Sequence, residues 1–273
     1  MSKPQEYYAK GKEDEEAARL KAQANAMRVM LEEQFKIMNI MPNMRILDAG
    51  CGSGEITNLF ASMVHQTTVV GLDINPSFIE KARENAEIQG IENVRFDVGN
   101  IDDMPYGDGE FDLTYCRLVL MHVKDPLQSV LEMKRVTRKG GLVVVDDTDD
   151  GPMIIYPPVP KTMEFLDKLA VSAKRSGRNR HIGRELYWIF KQAGLESIDV
   201  HPIPMRTRVN PYSMDQMGSI IRGLIWSVKD ILIQDGVITD DECDEVLREW
   251  DNAVVHPGSF GLGCMFLAIG TVP

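Results

Sequence analysis

The chain has 273 residues, a formal net charge of −11 and four cysteines. That length suits one large α/β domain, or such a domain carrying a cap. The acidic balance argues against nucleic acid as a partner, because binding a polyanion requires a basic footprint, and no apolar run approaches the roughly 20 residues needed to span a bilayer.

The N-terminal stretch "MSKPQEYYAKGKEDEEAARLK" is polar and lacks the apolar centre of a signal peptide. Cys51, Cys116, Cys243 and Cys264 are scattered with no C-x-x-C pair. They suggest neither a disulfide framework nor a zinc site, and a reduced, cytoplasmic home follows as the expectation. Between residues 14 and 40, Leu20, Ala24, Met27, Leu31, Phe35 and Met38 recur at helical spacing. They predict a helix with one buried stripe, ended by Pro42. Residues 44–48 read as a buried strand, followed by a glycine-rich turn and a helix over 55–64. Residues 68–73 form the next predicted strand. Asn75 and Pro76 then open a helix as N-cap and first residue, and Gly90 closes it. Strands follow at 94–98 and 111–116. Asp125-Pro126 starts a further helix that runs toward Gly140 and Gly141, and 142–147 is the fifth strand.

Such alternation predicts a parallel sheet with helices on both faces. Beyond residue 147 the rhythm loosens. Residues 151–180 hold "YPPVPKT" and then a helical pattern, and "KRSGRNRHIGR" (174–184) reads as a solvated basic loop before a helix. A helix ends at Gly194, a sixth strand covers 197–205, and 262–270 supplies a seventh. Residues 210–257 look like two helices, the second opened by the capping-box pair Thr239 and Glu242. The expected organisation is an N-terminal helical segment (1–43), a ligand-binding core (44–150) and the rest of the sheet (151–273). Within that last part the helical insertions 151–180 and 210–257 form a cap.

The stretch "LDAGCGSGEIT" (47–57) places Gly50, Gly52 and Gly54 straight after the first strand. There the backbone must turn tightly or let a ligand approach, and the amides of the loop and helix N-terminus attract negative charge or lone pairs. Asp73 ends the next strand, where a carboxylate can accept both hydroxyls of a ribose. A dinucleotide fold has G-x-G-x-x-G spacing. Here the third glycine falls one position early, and Glu55 takes its place as an unfriendly neighbour for a pyrophosphate. A phosphate-free ligand with an amino-acid tail fits better, with a nicotinamide-dependent oxidoreductase as the alternative.

The segments "ILDAGCGSG", "GLDINPSFIEKARENA", "VGNIDDMPYGDGEFDLTYCRLVLMHVKDP" and "RVTRKGGLVVVDD" together resemble the class I S-adenosylmethionine-dependent methyltransferases. "EYYAKGKEDEEAARLKAQA" and "CRLVLMHVKDP" are similar to their small-molecule, ubiquinone/menaquinone biosynthesis type. The resemblance implies a Rossmann-like, seven-stranded, mostly parallel sheet with a helical cap, and S-adenosylmethionine as cofactor. It implies that Gly50, Gly52 and Gly54 pass under the methionine and ribose, with Asp48 supporting the turn and the ammonium side. Asp73 would hold the ribose hydroxyls and Ile74 would pack on adenine. Asn100 stands where the family usually has an acid for the adenine amino group, and Ile101 would offer its backbone amide. Cys116 and Arg117 would lie near the methionine tail, Arg117 pairing with its carboxylate. Tyr7 and Tyr8 would close over the cofactor with the N-terminal segment, or simply pack.

Methyl transfer by in-line displacement depends mainly on alignment, and a general base is needed only where the acceptor stays protonated. His181 and His256, in or beside the cap, are the candidate bases with His201, while His122 reads as structural. Asp146, Asp147, Asp149 and Asp150 end the fifth strand. A metal reading of this cluster also wants an acid ending strand four, where Cys116 and Arg117 stand, so no metal is expected, and Asp147 is a candidate to face substrate. The apolar insertions imply a small, apolar or aromatic acceptor, although a homodimer interface would use the same apolar face. Intact cofactor motifs also suit a protein of this fold that binds the cofactor without transferring a methyl group.

Overall fold

The computed structural model describes residue 31 and residues 34–207 and 214–273. The predictions for residues 1–30, Tyr7 and Tyr8 included, lie outside the described residues. Of the N-terminal stripe, Leu31, Phe35 and Met38 are buried, and the Phe35 ring packs 4.6 Å from Phe60. The helical turn stops at Asn39, before Pro42, with φ +49°. Asparagine tolerates that left-handed exit better than most residues.

One sheet organises the molecule. Strands β1 (Ile46–Ala49), β2 (Val69–Asp73), β3 (Val94–Val98), β4 (Phe111–Arg117) and β5 (Thr137–Thr148) run parallel in the order β3-β2-β1-β4-β5. The inner strands, buried on both faces, need continuous apolar runs rather than alternation, and all four residues of β1 are buried. Three further strands complete the sheet: β6 (Ile154–Tyr156), β7 (Glu196–Arg206) and β8 (Phe260–Thr271). β8 lies antiparallel to all three of its partners, β5, β6 and β7. The sheet therefore has eight strands where the sequence predicts seven. The extra one, β6, spans three residues and adjoins Pro157 and Pro158, too short to show an alternation.

Chain order reverses beside β1, which has β2 on one side and β4 on the other. That switch point opens a crevice at the carboxyl ends of β1 and β4, the place where open α/β sheets bind ligands. Around the sheet lie α1 (Glu55–Met63), α2 (Pro76–Gln89), α3 (Pro126–Val136) and α5 (Leu186–Gln192). The predicted caps form: Asn75 Oδ1 accepts from the Ser77 amide at 2.9 Å, and Asp125 Oδ1 accepts from the Gln128 amide at 3.1 Å. One predicted stop is wrong. α3 ends at Val136 rather than at Gly140 and Gly141, because Thr137 already pairs with Phe111 across a bulge in β4–β5.

Three helices build a second apolar cluster: α4 (Pro160–Arg175), α6 (Met214–Gln234) and α7 (Asp240–Val255). Phe165, Leu169, Ile221, Ile225, Val246 and Trp250 pack together there. The capping box of α7 is complete, with Thr239 Oγ1 accepting from the Glu242 amide and Glu242 Oε2 from the Thr239 amide. α4 has no such cap of its own, since its N-cap is Val159. Glu249 of α7 substitutes from across the interface: its carboxylate accepts from the amides of Lys161 (3.0 Å) and Thr162 (2.8 Å) and from the Thr162 hydroxyl (3.0 Å). A carboxylate at a helix N-terminus satisfies orphan amides and opposes the helix dipole. Glu249→Ala should therefore cost about 1–2 kcal/mol of stability, measured by urea unfolding. A loss under about 0.3 kcal/mol would show that water caps α4 equally well.

Candidate active site

The glycine turn is built by backbone bonds to the end of β2. The amides of Gly50 and Cys51 both donate to the Leu72 carbonyl, at 2.7 and 2.9 Å. Gly50 and Gly54 have φ of +83° and +81°, a left-handed conformation that costs an L side chain roughly 1–2 kcal/mol. Space excludes a side chain as well, because a Cβ on Gly50 would overlap Val119 Cγ2 and one on Gly54 would lie 2.9 Å from Ala82 Cβ.

Asp73 is tied into this turn. Its Oδ2 accepts from the Gly52 amide and its Oδ1 from the Asn75 amide, both at 2.9 Å. Loss of water pushes its carboxyl above the ordinary range, against the opposing pull of those amides. A carboxylate offers about four acceptor sites, so acceptor capacity remains for a vicinal diol. Ile74 follows, exposed at the lip. Asn100 is exposed and Oδ1 accepts from its own turn, at the Asp102 amide (3.1 Å), while Ile101 is buried in the core. Nearby, the Ser53 hydroxyl and the Asn58 amide group are buried without a hydrogen-bond partner.

At the ends of β4 and β5 the sequence-based expectations need correction. Cys116 is wholly buried in the core, so it has no side-chain surface to show a ligand. Arg117 turns to Asp146, with Nε to Oδ2 at 3.0 Å and both side chains at most 9% exposed. The chain leaves β4 at Leu118, whose φ is +54°, and its amide donates to the Asp146 carbonyl at 3.0 Å. Asp147, expected to face substrate, is fully buried and does not line the cavity described below: its carboxylate accepts from the amides of Thr148 (2.9 Å) and Met121 (3.3 Å). Leu118, Met121 and His122 then line a cavity of about 210 Å³. His122 lies in a 3₁₀ turn (Leu120–His122) rather than in a helix.

The cavity is mostly apolar. Leu166 and Leu169 of α4, Ile221 and Leu224 of α6, and Met265 of β8 form much of its wall. At that size it exceeds the roughly 150 Å³ apolar cavity that is known to take up benzene. Its polar positions are His122, Asp149, Asp150, Arg178 and Arg180 among few others. His181 and His256 are not among the lining residues. His256 packs edge-on to Tyr156 at 5.6 Å and accepts through Nδ1 from the Gly258 amide at 3.1 Å. His201 pairs with Asp199 at 3.2 Å on β7. The basic stretch 174–184 is not simply a solvated loop, since two of its arginines face the cavity. Their signal was the unusual density of Arg itself. Among the described residues no cluster of His, Cys, Asp and Glu is arranged to hold a metal.

The buried acids make stability depend on pH. Burial pushes the Asp48 carboxyl up to about 7, against the hydrogen bond from Thr57 Oγ1 (2.7 Å). A raised carboxyl holds its proton more tightly folded than unfolded, so its contribution is full below the unfolded pKa near 3.9 and is lost as pH rises to about 7. Asp48→Asn removes that dependence. From about pH 4 to about pH 7 the parent should lose up to about 4 kcal/mol of unfolding free energy relative to the variant. Parallel stability curves from urea titrations would refute the assignment.

Comparison with known proteins agrees with this geometry. A family model described as a methyltransferase domain matches residues 40–194. An uncharacterized methyltransferase of Schizosaccharomyces pombe is 33% identical over 198 residues, covering 68% of each chain. A demethylmenaquinone methyltransferase of Bacillus cereus is 29% identical over 184 residues, covering 63% of this chain and 78% of that protein. Among solved structures, the YcgJ protein of Bacillus subtilis superposes with a TM-score of 0.60 at 22% identity, covering 89% of this chain and 98% of that one. With the glycine turn, Asp73 and the adjoining cavity, these likenesses place the chain in the methyltransferase domain family, as a class I S-adenosylmethionine-dependent enzyme.

Proposed function

We propose that this enzyme methylates a small, largely apolar or aromatic metabolite held in the cavity between β4, β5 and the cap. The observation that carries the reading is the cavity's place: Val119 abuts Gly50 of the turn while its neighbour Leu118 lines the cavity. One short segment thus separates the turn from an apolar chamber. The quinone-type substrate in the name of the Bacillus cereus relative is consistent with such an acceptor. Against a dimer reading of the same face, Ile221 and Ile225 of α6 are buried against α4 and α7 within the chain. No described helix is long and apolar enough to cross a membrane, and with its cysteines free we place the enzyme in the cytoplasm.

Asp73, the amide-lined glycine turn and the unpaired polar atoms of Ser53 and Asn58 would hold the cofactor. S-adenosylmethionine supplies a methyl on a sulfonium, which leaves by in-line displacement. The protein's share is alignment and exclusion of water. Leu118 and Met121 set the floor on which the acceptor rests, and α4 and α6 close over it. His122 is the imidazole on that wall, so it would take the proton of a hydroxyl acceptor.

Two measurements test the reading. Asp73→Ala should weaken S-adenosylhomocysteine binding by about 2–4 kcal/mol in calorimetry, with no heat from NAD for either protein. Because Asp73 also accepts two backbone amides, the same variant should lose about 1–2 kcal/mol of fold stability. Unchanged cofactor affinity would remove Asp73 from the site. In the second, Leu224→Trp fills the cavity. It should abolish radiolabelled methyl transfer to a panel of hydroquinone and phenolic acceptors while S-adenosylhomocysteine affinity stays within a few-fold. Undiminished transfer by this variant would move the acceptor elsewhere.

A further inference from the structure

The chain carries 16 methionines and 9 phenylalanines, yet the cavity beside the glycine turn takes only the first kind. Among the described residues it is lined by Met121, Met153, Met205 and Met265, with Cys264 beside them, and by no phenylalanine, tyrosine or tryptophan. The four methionines come from separate places in the fold: the 3₁₀ turn after β4, the approach to β6, the end of β7 and the middle of β8. Packing alone does not call for this choice, because ordering a methionine costs more side-chain entropy than ordering a leucine.

Each of these side chains hangs on a fixed backbone. The Met121 amide donates to the Asp147 carboxylate at 3.3 Å, and its carbonyl accepts from the Asn179 amide at 3.0 Å. The Met153 amide donates to the Gly151 carbonyl at 2.9 Å. Met205 pairs with Gly263 across β7 and β8, and a Cβ on Gly263 would lie 3.3 Å from Met205 Cε. The glycine thus leaves room for a thioether to lie close over the strand. Met265, two residues further and on the same face of β8, has its Sδ 3.9 Å from Arg117 Nη2. Only the side-chain ends remain adjustable. An unbranched thioether has three rotatable bonds and a polarizable sulfur, which makes favourable contacts at the edge of an aromatic ring. A saturated ring of similar outline has no π-system to offer that sulfur. The two lining carboxylates do not call for a cationic acceptor, because Arg180 holds Asp150 at 2.6 Å and Arg184 holds Asp149 at 2.5 and 2.6 Å.

Resting on the methyltransferase reading, we infer that Met121, Met153, Met205 and Met265 determine acceptor specificity, selecting a conjugated aromatic ring over a saturated one of the same size. A cavity of about 210 Å³, against the roughly 150 Å³ that admits benzene, suits one substituted ring or two fused rings. Thioethers supplied by four elements adjust to the edges of that ring, while the backbones behind them stay in place.

The test compares 2-naphthol with decahydro-2-naphthol by calorimetry on protein loaded with S-adenosylhomocysteine. The parent should bind the aromatic alcohol at least ten-fold tighter than the saturated one. Two altered proteins then remove sulfur. Met153→Leu combined with Met205→Leu does so at the two positions away from the glycine turn and Arg117. Protein expressed with norleucine in place of methionine keeps the side-chain length and loses every thioether. In each the aromatic preference should fall at least three-fold, through weaker naphthol binding. S-adenosylhomocysteine affinity, expected within two-fold of the parent for the double variant, reports which protein has folded. A parental preference below ten-fold, or one that keeps more than a third of its value in every folded sulfur-depleted protein, overturns the inference and leaves the methyltransferase reading intact. Absence of binding by both alcohols overturns it as well. Failure of the parent to bind S-adenosylhomocysteine would instead sink the function on which it rests.

Discussion

Two buried aspartates at the end of β5 hold the exit of β4, and the division of the active site depends on that hold. Asp146 takes the Arg117 guanidinium through its carboxylate and the Leu118 amide through its carbonyl. Asp147 takes the Met121 amide. Between these anchors the chain passes through a left-handed leucine, a conformation kept only where the surroundings over-determine it. The consequence is positional. Val119 is pressed against the glycine turn on one side, and Leu118, Met121 and His122 face the apolar cavity on the other. Burying Asp146 opposite Arg117 adds little net stability over an apolar pair, yet breaking it strands a charge. Its value is that it fixes where the strand ends.

What was legible in the sequence was local. The glycines at 50, 52 and 54, the Asn75-Pro76 and Asp125-Pro126 caps, the Thr239 capping box and the apolar runs of the parallel strands each act within a few residues. They specify turns and elements whatever the rest of the chain does. The illegible parts are long-range. Thr137 joins β5 early because Phe111 and Thr114 are beside it, and Thr114 Oγ1 lies 2.6 Å from Thr137 Oγ1. No helix-stop rule contains that contact. Arg117 was expected to meet a ligand carboxylate, but a carboxylate 29 positions along the chain reaches it in the fold. His122 read as structural and His181 and His256 as candidates from their places in the chain, whereas the 3₁₀ turn after β4 puts His122 on the cavity wall.

The same distinction separates the two halves of the site. The glycine turn is secured by partners between residues 48 and 99: Thr57 on Asp48, Leu72 on Gly50 and Cys51, Asp73 on Gly52, and the Asp73 carbonyl on Gly99. Such a unit is nearly self-contained, which is why its pattern can be read from one continuous stretch. The cavity draws instead on the turn after β4, the end of β5, α4, the 176–181 segment, β7, α6 and β8. Its chemistry exists only after those elements have packed, and α4 itself depends on Glu249 of α7 for its first turn.

That asymmetry has a physical consequence for specificity. Segment 117–122 is shared by both halves, and it is held from the β5 side by Asp146 and Asp147 rather than by the cap. Changes in α4 or α6 can therefore reshape the cavity without moving the glycine turn. The segment bearing Arg178 and Arg180 is the exception, because the Asn179 amide bonds directly to the Met121 carbonyl. A shift of that segment is carried, through one hydrogen bond, to the 3₁₀ turn next to the glycine loop. Substitutions on the apolar wall should thus act on the cavity alone, while substitutions between residues 178 and 180 reach both the cavity and the glycine turn. The two behaviours follow from which side of Met121 a residue is bonded to, not from its distance to the reacting atoms.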